Sequence, residues 1–277
     1  MKKILILAND ASDLFNMRFE LICEIIKQNF SLYFAVPQLK EDKKVQLILD
    51  VGAKYAQTPI NRRGTNPFED TKLLMKYYSI IKKVNPDVIL TFSIKPNIYG
   101  TYAASLLNKP VIMNITGMGS SLTNIYLKNL VKQMYKWACK KAQVIFFQNK
   151  YNLDYFTKNN MVNKHKAILV PGSGVNVSKF TPMKKTNKEN ETRFLFIGRI
   201  MKEKGIEEYL EVAEKLTKEF TNVEFQILGR FEEKRYKKTI LNNKNNKVRY
   251  LGISDDVRKE IKEVDCIVHP SYHEGMS

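Results

Sequence analysis

Short apolar runs alternate along the chain with longer stretches of helical periodicity. Ile4-Leu5-Ile6-Leu7-Ala8 and Leu32-Tyr33-Phe34-Ala35-Val36 are continuous runs, as expected of parallel strands covered on both faces. Further runs predict strands over 54–57, 87–91, 111–115, 144–147, 167–170, 193–197, 223–228, 248–251 and 266–269. Between them, Phe19, Ile22, Ile25 and Ile26 form the inner face of a helix predicted over 15–28. Other helices are predicted over 42–50, 68–84, 99–107, 124–141, 150–159, 205–219, 232–242 and 254–263. Strand–helix alternation of this kind argues for an α/β protein with parallel sheets.

The rhythm is interrupted once. Pro171-Gly172-Ser173-Gly174 is a hinge candidate, and the polar stretch over 181–191 is a plausible linker. We therefore read a first Rossmann-like domain over 1–172, a linker over 173–191 and a second domain over 192–277. The apolar run after Met1-Lys2-Lys3 is too short for a signal peptide and breaks at Asn9-Asp10. No run approaches the ~20 residues needed to span a bilayer.

In an open parallel sheet, ligands bind at the carboxyl ends of the strands. Several chemistry-bearing loops are predicted there: Asn9-Asp10, Arg62-Arg63, Lys95 with Asn97, and Gly117 to Ser121. Ordinary turn chemistry accounts for each loop taken singly. The densest candidate lies in the second half, where the strand Phe194-Leu195-Phe196-Ile197 ends at Gly198-Arg199 and a helix opens at Lys204-Gly205. A helix N-terminus carries unpaired N–H groups and a partial positive charge. Arg199 offers a bidentate fork beside it, and Lys204 a compact charge. The combination suits a diphosphate.

These residues resemble the nucleotide-sugar loop of the retaining glycosyltransferases of family 4, which have the GT-B fold. A second stretch carries the same resemblance: His269-Pro270-Ser271-Tyr272-His273-Glu274-Gly275-Met276 is similar to the start of that family's double-glutamate motif. Lys95-Pro96-Asn97-Ile98-Tyr99-Gly100, Gly117-Met118-Gly119 and the region 61–67 resemble segments of bacterial surface-polysaccharide members. The resemblance implies two Rossmann-like domains with parallel sheets facing across a cleft. It implies that Arg199 and Lys204 hold the donor diphosphate and that Glu274 faces the donor sugar. Gly198, Gly205, Gly229, Gly275 and Met276 would line the donor site. Arg62, Arg63, Lys95, Asn97, Gly117 and Gly119 would serve the acceptor.

Two departures from the family pattern bear on the donor site. The glycine pair that often follows the first strand is absent at 9–18. The second glutamate of the motif would fall beyond Ser277, so the resemblance implies a member cut inside its donor site, with an incomplete second domain. The implied activity is transfer of a hexose or N-acetylhexosamine from a UDP-sugar to a lipid-linked saccharide, with no bound metal or other cofactor. An inactive fragment of such an enzyme is the alternative.

Charge widens the choice of partners. Lys and Arg number 46 against 28 Asp and Glu, a net +18, which favours anionic partners. Nucleic acid is one such class, but no basic groove with interleaved aromatics is legible. The predicted helix 124–141 carries Lys128, Lys132, Lys136 and Lys140 at every fourth position. Either this is a core-facing helix with a solvated lysine face, or it lies on an anionic membrane surface. With lipid-linked acceptors, the implied place is cytoplasmic, peripheral on the inner face of the membrane. The three cysteines, Cys23, Cys139 and Cys266, have no metal-ligand spacing and read as small core residues. The spacing of His269 and His273 likewise matches no zinc pattern.

Overall fold

The computed structural model describes residues 1–61, 64, 66–117, 125–185, 191–254, 256–272 and 274. The chain divides into two compact units, Met1–Gly174 and Val175–Glu274.

In the first unit the elements alternate as β1 (Lys3–Leu7), α1 (Ala11–Lys27), β2 (Ser31–Val36), α2 (Lys43–Asp50), β3 (Lys54–Gln57), α3 (Pro67–Val84) and β4 (Val88–Phe92). A π-helical turn, Pro96–Gly100, then leads into α4 (Thr101–Leu106), β5 (Val111–Ile115), α5 (Ile125–Lys141), β6 (Val144–Phe147), α6 (Lys150–Lys158) and β7 (Ala167–Leu169). The strands form a seven-stranded parallel sheet in the order β3-β2-β1-β4-β5-β6-β7. Consecutive side chains on a strand point to opposite faces. Thus Ile4 and Ile6 pack under α1 and α2 with Leu14, Ile22 and Val45. Leu5 and Leu7 pack on the other face with Leu73, Tyr77 and Ile81 of α3.

The second unit runs β8 (Thr192–Ile197), α7 (Ile206–Glu219), β9 (Val223–Leu228), α8 (Arg235–Leu241), β10 (Val248–Gly252), α9 (Arg258–Ile261) and β11 (Cys266–Ile267). Its parallel sheet has the order β10-β9-β8-β11. The α7 stripe buries Ile206, Tyr209 and Ala213 against Phe196, Phe225 and Ile227. Leu210 and Leu216 are half-buried beside them.

Some expected boundaries shift. Helix α1 starts at Ala11 rather than Phe15, because Asp10 caps it by accepting from the N–H groups of Ser12 and Asp13. The charged helix expected over 232–242 shortens to Arg235–Leu241. Among the cysteines, Cys139 is buried, and burial pushes its thiol up to about 12. Cys23 is half-buried. Cys266 departs from its expected core role: it is exposed on the edge strand β11.

Candidate functional site

Strand order locates the sites. In the first sheet the direction of winding reverses between β1 and β4, and in the second between β8 and β11. Ligands of open α/β sheets bind outside the carboxyl ends at such switch points. In the second unit, the loops that leave β8 and β11 carry Arg199, Lys204 and Glu274.

The β8 loop is built by close backbone approach. Gly198 donates its N–H to Leu228 O at 3.0 Å. Gly229, at φ +149, lies so near that an added Cβ would sit 1.8 Å from Gly198 O. Buried Ile200 then pairs with Phe231 and donates to Arg230 O at 2.8 Å. Half-buried Arg199 is thus held between two anchored residues. Among the described residues it makes no hydrogen bond or ion pair of its own, so its guanidinium is available.

A single 3-10 turn, Lys202–Lys204, carries the chain to Gly205, whose left-handed backbone (φ +75) starts α7 without a side-chain cap. The first N–H groups of α7 therefore have no capping side chain. The β11 loop is pinned onto this turn. Glu203 O accepts from Tyr272 N at 3.1 Å and from Ser271 Oγ at 3.2 Å. A Cβ at Gly205 would lie 2.2 Å from Pro270 O, so glycine is what lets the two loops meet.

This contact brings Glu274 to Lys204. Its Oε1 accepts from Lys204 Nζ and lies 3.0 Å from His269 Nε2. Burial pushes the Glu274 carboxyl up, but hydrogen bonds from Lys204, Ser271 and His269, with the Lys204 charge, outweigh it and hold the carboxyl below its ordinary range. The result is an ionised carboxylate, an ammonium and an uncapped helix start side by side, on the loop that also carries free Arg199.

The other expected donor residues, Gly275 and Met276, lie outside the described residues. So do Arg62, Arg63 and Gly119 of the expected acceptor set. Of the remainder, Gly117 is half-buried after β5. Lys95 is committed within the protein: its Nζ pairs with Asp70 at 2.5 Å, and Asp70 also accepts from Tyr99 Oη at 2.8 Å. Asn97 departs from its expected role. It is 1% exposed and donates to Asn114 O at 2.9 Å, so in this conformation it is sealed from an acceptor. The first unit does contain a cavity of about 630 Å³ beside Asn61, lined among others by Thr58, Glu69, Lys72 and Lys76.

On α5 the lysines divide. Lys132 donates to Asn159 Oδ1 at 2.6 Å and Lys128 is half-buried, while Lys136 and Lys140 are exposed. Among the described residues no helix is long and apolar enough to cross a membrane.

Residues 3–149, more than half of the chain, match the family described as "Glycosyl transferase 4-like". The chain belongs to that family. Residues 178–277 match a second description, "Glycosyl transferases group 1". The family chain is 27% identical, over 97% of its length and 74% of the relative's, to the N,N'-diacetylbacillosaminyl-diphospho-undecaprenol alpha-1,3-N-acetylgalactosaminyltransferase of Campylobacter jejuni. It is 26% identical to the UDP-Gal:alpha-D-GlcNAc-diphosphoundecaprenol alpha-1,3-galactosyltransferase of Escherichia coli, over 86% of this chain and 65% of that one. It thus spans about two thirds to three quarters of these curated relatives. Among solved structures, Anabaena HepE in complex with UDP and glucose superposes with a TM-score of 0.72 at 12% identity, covering 99% of this chain and 76% of that one. A glycosyltransferase from Rickettsia africae gives 0.69 at 18% identity, covering 98% and 73%. The glycosyltransferase 4-like chain therefore has the expected GT-B fold, with a parallel α/β sheet in each unit.

Sequence reasoning missed two features of these sites. One is that His269, legible as a neighbour of Glu274 in a supporting or core role, bonds its carboxylate directly. The other is Arg18, a charged residue at core spacing with Leu14, Ile22 and Ile25. That spacing was the available signal.

Proposed function

We propose that this glycosyltransferase 4-like protein transfers a hexose or N-acetylhexosamine from a UDP-sugar to a lipid-linked saccharide, with retention at the anomeric carbon. The observation that carries the proposal is the meeting of Lys204 and Glu274 at the β8/β11 switch point, on the loop that holds free Arg199. The Campylobacter and Escherichia relatives, named for transfer onto diphospho-undecaprenol-linked saccharides, support the choice of donor and acceptor class.

The chemistry follows from charge. Breaking the bond between the sugar and UDP leaves negative charge on the diphosphate. Arg199 takes two phosphoryl oxygens through its fork, and Lys204 takes a third. The uncapped start of α7 adds its partial positive charge. Lys204 has three N–H donors, so one can stay with Glu274 while others reach the phosphate. Glu274, kept ionised by Lys204 and His269, accepts from the donor sugar's hydroxyls and fixes its orientation. The leaving phosphate itself takes the acceptor proton on the same face, so no general base is assigned. Two side-chain cations supply the charge stabilisation, and no metal or other cofactor is required by this scheme.

The acceptor's saccharide is assigned to the first unit, in the cavity beside Asn61. Its volume falls within the range of small-molecule sites. We place the protein on the cytoplasmic face of the membrane as a peripheral protein, with the exposed Lys136 and Lys140 of α5 towards anionic lipid. Nucleic acid is not among the proposed partners.

The test is incubation with radiolabelled UDP-sugars and bacterial membrane extract. Label passing into the lipid-soluble fraction is the expected result. Nucleotide-sugar binding without transfer to any lipid-soluble product counts against the activity. For the membrane, co-sedimentation with anionic vesicles should weaken when Lys128, Lys132, Lys136 and Lys140 become Glu, and unchanged binding removes α5 from the account.

A further inference from the structure

A buried guanidinium in the first unit makes no ion pair among the described residues. Arg18 sits on the inner face of α1, 8% exposed, at a position its helix otherwise fills with Leu14, Ile22 and Ile25. Among the described residues, no carboxylate lies within ion-pair distance of it. Its contacts are neutral. Nη1 donates to Met17 O at 2.7 Å and to Ser173 Oγ. The plane rests over Phe92, 4.9 Å from the ring centre. Ser173 Oγ also accepts from Gln148 Nε2 at 3.1 Å, and Gln148 is itself 8% exposed. Nε and Nη2 donate to nothing among the described residues. Burial pulls the Arg18 guanidinium below its ordinary value, and exposed Asp13 on the same helix only partly restores it.

This arrangement is costly as a packing device. Burying a cation against neutral acceptors spends solvation that an amide or an apolar residue would keep. Its place matters too. Arg18 follows β1 and covers Phe92, the last residue of β4, so it lies at the β1/β4 switch point of the first sheet. Gln148 and Ser173 follow β6 and β7 and bring two more polar groups to the same carboxyl edge.

We propose that Arg18, supported by Ser173 and Gln148, binds a phosphate group of one of the two substrates, the free Nε and Nη2 pair gripping two oxygens. This rests on the glycosyltransferase reading, in which both the nucleotide-sugar and the lipid-linked saccharide carry diphosphate. A guanidinium's planar fork is the group that matches two phosphate oxygens. The anion would supply the ion pair that Arg18 lacks among the described residues.

The test measures binding to the full chain by calorimetry, with UDP and farnesyl diphosphate as separate probes, for the parent, Arg18→Gln, Arg18→Lys and Ser173→Ala. Binding tests keep the outcome separate from the proposed activity, since either ligand can bind without turnover. The expected result is that Arg18→Gln weakens one probe by at least about tenfold and leaves the other within about threefold. Loss towards UDP assigns the phosphate to the donor, and loss towards farnesyl diphosphate assigns it to the acceptor. Arg18→Lys should recover part of the loss. Ser173→Ala, which removes a bond of Nη1 and keeps the charge, should weaken the same probe alone, and by less than Arg18→Gln. Should Arg18→Gln fail to fold, Arg18→Lys and Ser173→Ala decide. A strap that only ties α1 to the 171–174 segment predicts equal, small losses for both probes in all three variants, and that result overturns the proposal.

Discussion

Gly205→Ala strikes the contact on which the second unit's site depends. The new Cβ would lie 2.2 Å from Pro270 O and 2.7 Å from its carbonyl carbon, and both are backbone atoms that cannot swing aside. Two costs add. Holding an L-residue in the left-handed region costs about 1–2 kcal/mol. Relieving the overpacking costs about 1–3 kcal/mol. The total, about 2–5 kcal/mol, falls on the junction between the 3-10 turn, α7 and the β11 loop. Hydrogen exchange of the full chain, read by mass spectrometry, separates that junction from the rest. At about 1.4 kcal/mol per factor of ten, the amides of 206–219 should exchange at least about 30-fold faster. Amides of 144–147 in the first unit should not change. If the 206–219 amides exchange within about threefold of the parent, the loops do not meet as described and the Lys204–Glu274 contact loses its support.

Further outcomes follow from other contacts. Asp70→Ala should cost about 3–5 kcal/mol, because it leaves the Lys95 ammonium buried without its partner. The Asp70→Leu/Lys95→Met pair should cost less, with both read by urea unfolding through Trp137, the single tryptophan and a first-unit residue. Asp10→Ala should cost about 1 kcal/mol in the same assay, and Asp10→Asn much less, since the amide oxygen still caps α1. Glu274 has its folded pKa lowered, so its contribution is present above the ordinary carboxylate value and lost as pH falls through the folded value. Glu274→Gln should therefore be less stable than the parent at neutral pH, with the gap closing in acid. A gap that widens in acid would contradict the assignment.

Much of the fold was legible because parallel strands buried on both faces leave continuous apolar runs. Ile4 to Ala8 and Phe194 to Ile197 announce β1 and β8 without any tertiary information. The order of the strands was not legible, because pairing is set by crossovers. Yet that order puts the β8 and β11 loops side by side and brings Glu274 to Lys204, on the loop that also carries Arg199. Lys95 and Asn97 show the opposite case. Their loop looked functional by position, but Asp70 on α3, distant in sequence, claims the lysine, and the π-helical turn buries the asparagine. A side chain's partner, which decides between structure and chemistry, is a tertiary fact. Arg18 was visible as a charge within an apolar stripe, but only the lack of an ion pair among the described residues gives it meaning.

The central claim is that Arg199 and Lys204 together hold the diphosphate of the donor. The most direct test compares the affinities of the full chain for UDP and for uridine before and after Arg199→Met/Lys204→Met. Two charged hydrogen-bonding partners are worth about 1.5–3 kcal/mol each. UDP affinity should therefore fall by about 100-fold or more, while uridine affinity stays within about threefold. Unchanged UDP affinity in the double variant would contradict it.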